Sequence, residues 1–299
     1  MDAVTRLETG ARLIARGEGR RPPGIATAIT PVRPRTFFGL TYVCSWLLWM
    51  PLAASKYDIG PLAIPVGTRS LIGLIGVLMP AAVALVLTAR MSGRSGLRKL
   101  LGRLRIWRVG WRWWAAAVIV PPGLLVGIGA AWSWAGARPP IEVVDVLSAA
   151  AFAVTVAFLL IASLGEEVGW RGVALPGLEQ RATPLRASLV LGLLWATWHL
   201  PYWLLQDSFD EFGVGYLALN FLLIVPSAIY ITWFFNHTRY SILLPVAFHV
   251  VFNAVNVGWL PVTGVVVPFA ILIASEWVLA ALVVRHLAVP EGAAPQLAG

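Results

Sequence analysis

Long apolar runs recur along almost the whole chain, separated by short polar or basic segments. About eight of them reach the length of about 20 residues that a helix needs to cross a hydrocarbon core about 30 Å thick. These runs do not alternate apolar and polar residues as the strands of a membrane barrel do, so the pattern predicts helices. We therefore predict an all-α, polytopic transmembrane bundle with spans at residues 37–54, 71–89, 114–134, 147–165, 187–205, 214–235, 242–260 and 264–284.

The composition supports this fold class and excludes a soluble protein. Apolar residues make up 59% of the 299 residues, and charged residues only 12%, whereas about a quarter of a soluble domain is charged. A soluble chain of this composition would have too little polar surface to cover its core. Cys44 is the single cysteine, so a disulfide within the chain is excluded.

Lysine and arginine are distributed unevenly between the two sides of the predicted bundle. If the spans alternate across the membrane, Lys56, Arg69 and Arg138 fall on one side, and the other 20 of the 23 basic residues fall on the opposite side. Basic loops stay in the cytoplasm, so both termini are predicted to be cytoplasmic. The net charge of +9 then reflects topology and contact with anionic lipids, and we expect no nucleic-acid partner.

The predicted organisation is one membrane domain between two tails. Residues 1–36, rich in Arg, Gly and Pro, are expected to form a mobile cytoplasmic tail, the bundle covers 37–286, and 287–299 form a short cytoplasmic tail. Residues 94–108 alternate basic and apolar residues at helical spacing, which predicts an amphipathic helix on the inner leaflet. Residues 172–186 are a weaker candidate for a second interfacial segment.

A few ionisable or amide side chains fall inside the predicted spans, where they cost several kcal/mol unless they are paired or solvated. On a helix, Glu167 and Arg171 share a face and can form a salt bridge, whereas Glu166 is turned away by about 100°. His249 and Asn253 also lie one helical turn apart. The complete set is Glu166, Glu167 and Arg171 at the end of span four, His199 in span five, His249 and Asn253 in span seven, and Glu276 in span eight.

Each of these signals alone also fits a structural role. The charges of span four could mark a helix end at the interface, His199 could be a hydrogen-bonded packing residue, and His249 with Asn253 could bridge two helices. Together, however, they supply two carboxylates, two imidazoles and an amide from three spans. This combination favours a catalytic site.

The order and spacing of these residues resemble the motifs of the CPBP intramembrane proteases, which include CAAX prenyl endopeptidases and bacterial abortive-infection and bacteriocin-processing relatives. The matching motifs are Glu-Glu-x-x-x-Arg at 166–171, aromatic-x-x-x-His at 195–199 and His-x-x-x-Asn at 249–253. The resemblance covers about residues 145–260. One departure is visible, because Trp195 stands where the family usually has Phe.

The resemblance implies a membrane-embedded endopeptidase. Peptide hydrolysis needs an activated water, a stabiliser for the oxyanion and a proton donor for the leaving amine. Glu166 is the candidate general base and His199 a group that holds the water. His249 and Asn253 are candidate oxyanion donors, and Glu167 with Arg171 would be a supporting pair. The active site is expected to face the cytoplasmic side of the cell membrane.

Several alternatives stay open at this point. A divalent metal such as zinc needs about three protein ligands, which Glu166, His199 and His249 could supply, although the sequence contains no His-Glu-x-x-His motif. A proton-coupled transporter would also bury Glu and His, with Glu276 in the relay, and a noncatalytic immunity or scaffold protein could share the fold. We expect Glu276 to be a structural residue. The substrate, a peptide or a lipidated protein, and the oligomeric state are undetermined.

Overall fold

The computed structural model describes residues 32–61, 63–134, 149–259 and 266–287. Every regular element in these four ranges is helical, as the sequence predicts. In chain order the helices are α1 (Pro34–Lys56), α2 (Val66–Gly102), α3 (Trp111–Val118), α4 (Val120–Trp134), α5 (Ala149–Gly169), α6 (Leu175–Glu179), α7 (Pro184–Trp198), α8 (Leu200–Trp203), α9 (Asp207–Phe212), α10 (Val214–His237), α11 (Leu243–Trp259) and α12 (Val266–Val284). A 3₁₀ turn, Arg103–Arg105, follows α2, and a π-helical turn, Trp170–Ala174, joins α5 to α6.

The helices confirm a multi-pass membrane protein. Within the described ranges, four helical segments are long and apolar enough to cross a bilayer: Pro34–Lys56, Ser70–Arg105, Ala153–Glu179 and Val214–His237. The pair α3 and α4, bent by 45°, gives a fifth if it is counted as one span, and Leu243–Ala254 and Ala270–Val284 are shorter apolar helices. The count of eight spans and the cytoplasmic termini stay predictions, and most of both predicted tails lies outside the described residues.

The fourth predicted span differs from the structure at its end. The apolar run ends near residue 165, but the helix continues through the π-helical turn to Glu179. Residues 172–175 are buried, so this part of the segment predicted to lie at the interface is packed helix. The helix continues past the charges because they are paired inside the bundle, as described below.

Two glycines allow α5 to lie close against α2. A methyl group at Gly165 would come within 2.6 Å of Leu78, and one at Gly169 within 2.5 Å of Pro80. This four-residue spacing of small residues is typical of close helix packing in membranes. The two adjacent glutamates lie between these glycines, so the contact fixes their position in the bundle.

The basic stretch after the second predicted span begins at a break in the helix. Gly93, with φ 59° and ψ −157°, interrupts the helical backbone of α2. Beyond it, Leu100 is fully buried and lies against Gly172 of the π-helical turn, and the Arg103 guanidinium donates to the Gly172 carbonyl at 3.3 Å. The predicted amphipathic segment is therefore helical as far as Arg105, and it packs on the turn. Its position on the inner leaflet stays a prediction.

Candidate active site

The two adjacent glutamates lie in the middle of a continuous helix and are almost completely buried, with exposed fractions of 5% for Glu166 and 0% for Glu167. The predicted salt bridge is confirmed, because Arg171 Nη1 lies 2.9 Å from Glu167 Oε1, with both side chains fully buried. The Arg171 guanidinium also lies over the ring of Trp195, at 4.7 Å from its centroid. The arginine is thus held by one carboxylate and one aromatic face.

Glu166 is turned away from this pair, as its position on the helix predicts. Its Oε2 accepts a 2.6 Å hydrogen bond from Trp195 Nε1 and a longer one, 3.4 Å, from Trp170 Nε1. The same oxygen lies 3.8 Å from His199 Nε2. Glu166 is therefore held by indole donors, with an imidazole beside it but beyond direct hydrogen-bond distance.

His199 follows α7 directly, and its surroundings fix its tautomer. Its Nδ1 lies 3.0 Å from the Trp195 carbonyl, which can only accept, so Nδ1 carries the hydrogen. When the ring is neutral, Nε2 is consequently an acceptor that faces Glu166. The ring stacks on Trp203 with an interplanar angle of 7° and meets the edge of Trp198. These contacts hold the imidazole plane in place.

His199 and Glu166 lie at matching distances from the turn that joins α6 to α7. Glu166 lies 13 positions before Glu179, and His199 lies 15 positions after Pro184, which is about 20 Å of helix in each case. The continuation of the helix to Glu179 therefore brings the two side chains to the same depth.

His249, on α11, points to the other glutamate. Its Nδ1 lies 3.0 Å from Glu167 Oε1, the same oxygen that accepts from Arg171. The ring also meets Trp195 edge to face, with 5.4 Å between centroids. Glu167 is therefore more than a support for the helix end, because it also orients an imidazole from another helix. The sequence motifs did not reveal this contact, since 82 residues separate its partners.

Asn253 lies one helical turn after His249 and is partly buried. No hydrogen bond joins it to another residue of the described ranges. The structure thus brings five of the six candidate residues into one connected group, and it places the sixth on the helix that carries His249.

Trp195 is the residue whose importance the sequence did not reveal. Its indole N–H donates to Glu166, its ring contacts Arg171 and His249, and its carbonyl accepts from His199. The sequence offered one signal, the replacement of the usual Phe. Of Phe, Tyr and Trp, only Trp carries an N–H donor on its ring.

The candidate metal ligands do not form a ligand group. Across the described ranges, no set of three or more His, Cys, Asp or Glu side chains lies in an arrangement that could hold a metal ion. His249 turns its Nδ1 to Glu167, and His199 turns its Nδ1 to a carbonyl. These contacts leave Nε2 of both histidines available, as in many metal sites, but the three side chains Glu166, His199 and His249 do not lie in an arrangement that could hold a metal ion.

Glu276 lies apart from this group. It is 1% exposed on α12 and accepts a 3.4 Å hydrogen bond from Ser227 of α10. No contact in the described part of the chain joins it to Glu166, Glu167 or the two histidines. This position fits the structural role that we expected for it.

Comparison with known proteins points to one type of enzyme. The family described as "Type II CAAX prenyl endopeptidase Rce1-like" matches residues 148–255, a range that includes all six candidate residues. A protein described as "CAAX prenyl protease 2", from Methanococcus maripaludis, is 28% identical over 227 residues, which is 74% of this chain and 82% of that protein.

Proposed function

We propose that the chain is a membrane-embedded protease of the CPBP family, which its similarity to CAAX prenyl endopeptidases supports. We propose further that it hydrolyses a peptide bond of a membrane-associated substrate with a water activated by Glu166. The observation that carries this proposal is the pair formed by Glu166 Oε2 and His199 Nε2, two acceptors 3.8 Å apart. This separation is too long for a direct hydrogen bond and suits one water that donates a hydrogen to each.

The water loses its proton to Glu166 as it attacks the carbonyl carbon of the scissile bond. His199 holds the water through Nε2, because its other nitrogen is fixed on the Trp195 carbonyl. Glu166 then returns the proton to the leaving amine, so one carboxyl group serves as base and then as acid. The indole donors of Trp195 and Trp170 keep the carboxylate oriented between these steps.

The charge that develops on the carbonyl oxygen needs a donor, and His249 and Asn253 are proposed for this role. With both ring nitrogens protonated, His249 donates from Nδ1 to Glu167 and keeps Nε2–H for the oxyanion. The Glu167 carboxylate stabilises such a charged ring, and Arg171 holds that carboxylate in position. The Asn253 amide supplies a second N–H from the same helix.

No step of this mechanism uses a metal, in keeping with the poor fit of the candidate ligands. The substrate class is proposed from the relatives, whose names describe prenylated CAAX proteins. We propose that the substrate reaches the site from the cytoplasmic side of the cell membrane, which the positive-inside distribution favours. A prenyl group would lie among the apolar helices, and the peptide bond would reach the buried glutamate.

The test is cleavage of fluorogenic peptides by the protein purified in detergent, with matched peptides that carry or lack a C-terminal prenyl cysteine. Wild type should cleave, and Glu166→Gln should lose at least 100-fold in kcat/KM, since it lacks the base. Glu276→Gln is the control, because it neutralises another buried glutamate outside the site. A scaffold or a transporter would show no Glu166-dependent cleavage.

Two results would contradict the mechanism. Substantial cleavage by Glu166→Gln would show that another group activates the water. Loss of cleavage with a chelator and its recovery with zinc would show that a metal belongs in the site. Equal cleavage of both peptide types would contradict the prenylated substrate class while leaving the protease assignment intact.

A further inference from the structure

A cavity lies outside the candidate active site, at the end of the basic stretch that follows the second predicted span. It has a volume of about 350 Å³ and is lined by Arg105, Ile106, Trp107, Arg108 and Arg239. None of these five residues contributes to the site around Glu166. We propose that this cavity binds the phosphate group of an anionic membrane lipid.

The charge of the cavity favours an anion. Arg105, Arg108 and Arg239 are all exposed, and no acidic side chain in the described ranges forms an ion pair with any of them. Guanidinium groups match the geometry of phosphate oxygens and can bind them through two N–H donors. Three such groups around one cavity form a site of strong positive potential for a phosphate.

The cavity is held in shape by contacts between two segments that are distant in sequence. Arg239 donates to the Arg108 carbonyl at 2.8 Å, and Ser241 donates to the Ile106 carbonyl at 2.6 Å. Arg239 and Tyr240 both have left-handed backbones, with φ of 56° and 60°. Consecutive non-glycine residues in this conformation are costly, and such strain is concentrated at binding sites.

The position of the cavity favours a lipid over a soluble phosphate. The membrane-spanning segment Ser70–Arg105 ends at the rim of the cavity. The bent pair α3 and α4 starts at Trp111, four residues after Trp107 of the cavity lining. Trp107 is 57% exposed and Trp111 is 74% exposed, and exposed tryptophans next to basic residues are typical of the level of the lipid headgroups. The predicted cytoplasmic side is the side that carries most anionic lipid.

The experiment counts bound lipid by native mass spectrometry of the full-length protein purified and delipidated in detergent. The probes are phosphatidylglycerol, phosphatidylcholine of the same chain length, and inorganic phosphate as competitor. Wild type should retain one phosphatidylglycerol at concentrations at which phosphatidylcholine does not bind. Millimolar inorganic phosphate should not displace it.

Two triple variants make the test specific. Arg105→Gln/Arg108→Gln/Arg239→Gln should weaken phosphatidylglycerol binding on the order of 100-fold, since each basic residue near a lipid phosphate contributes about fivefold. The control carries Gln at three exposed arginines of the same basic stretch and should change binding less than about threefold. The control positions are Arg90, Arg94 and Arg98.

If the triple variant does not fold, the single variants Arg105→Gln and Arg239→Gln replace it. Each should weaken phosphatidylglycerol binding about fivefold. Equal weakening by both triple variants would show diffuse attraction to the basic stretch and would overturn the proposal. Equal retention of phosphatidylcholine would do the same. Displacement by inorganic phosphate would show that the cavity binds free phosphate and not a lipid.

Discussion

Neutralising Glu167 should destabilise the folded protein, whereas neutralising Glu166 should abolish cleavage and leave stability almost unchanged. The difference arises because the two carboxylates have different partners. Glu167 Oε1 accepts from Arg171 at 2.9 Å and from His249 at 3.0 Å. Arg171 is fully buried, and its Nε and Nη2 have no protein hydrogen-bond partner in the described ranges. Glu167→Gln therefore leaves a buried guanidinium without its counterion.

Breaking a buried ion pair by removing one partner costs about 3–5 kcal/mol of folding free energy. On the scale of about 2–4 °C per kcal/mol for chains of 150–250 residues, the melting temperature should fall by about 6–20 °C. Glu166 has no Arg or Lys partner in the described part of the chain, and a Gln oxygen at this position can still accept from Trp195. Glu166→Gln should therefore melt within about 3 °C of wild type, or slightly above it, and be inactive.

The assay is thermal unfolding of both variants in one detergent, with cleavage measured on the same preparations. The double variant Glu167→Gln/Arg171→Met provides the control, since it removes the stranded charge and should recover more than half of the lost stability. The reasoning would be refuted if both single variants were destabilised equally. It would also be refuted if the double variant were no more stable than Glu167→Gln.

Three further changes test other parts of the structure. Trp195→Phe removes the N–H donor to Glu166 and keeps an aromatic ring, so cleavage should persist within about tenfold. The free energy of unfolding, measured with denaturant, should fall by about 1.5–3 kcal/mol, and an unchanged value would mean that the 2.6 Å hydrogen bond contributes nothing. Glu276→Gln should keep full cleavage, and complete loss in a folded variant would place Glu276 in the catalytic machinery. A topology reporter fused at Ser208 should lie outside the cytoplasm, and a cytoplasmic signal there would contradict the eight-span arrangement.

The sequence predicted the helical class and the contacts within one helix, because both follow from local periodicity. The Glu167–Arg171 pair is an example, since a four-residue spacing places the two side chains on one face. The contact between Glu167 and His249 could not be predicted in this way. It depends on how α5 and α11 pack, and a single sequence does not specify the rotation of one helix against another.

The end of the fourth predicted span was misplaced for a related physical reason. Hydropathy counts Glu166, Glu167 and Arg171 as exposed charges and ends the span before them. In the structure these groups satisfy one another and the indoles of Trp170 and Trp195, so their transfer into the bundle costs less than isolated charges would. Hydropathy scales rate each residue alone and cannot register such compensation.

The π-helical turn at Trp170–Ala174 limits which changes of chain length this protein can accept. A π-helical turn accommodates one residue more than the α-helical turn that it replaces. Deleting one residue within this turn would restore a regular α-helix and leave the later positions, including the buried Leu175 and Gly177, on the faces they now occupy. Deleting one residue from the regular α-helix on either side of the turn would instead rotate the positions that follow by about 100° relative to the glutamates. Between the glutamates and the turn before α7, the π-helical turn is therefore the place where the chain can lose one residue and keep its packed faces.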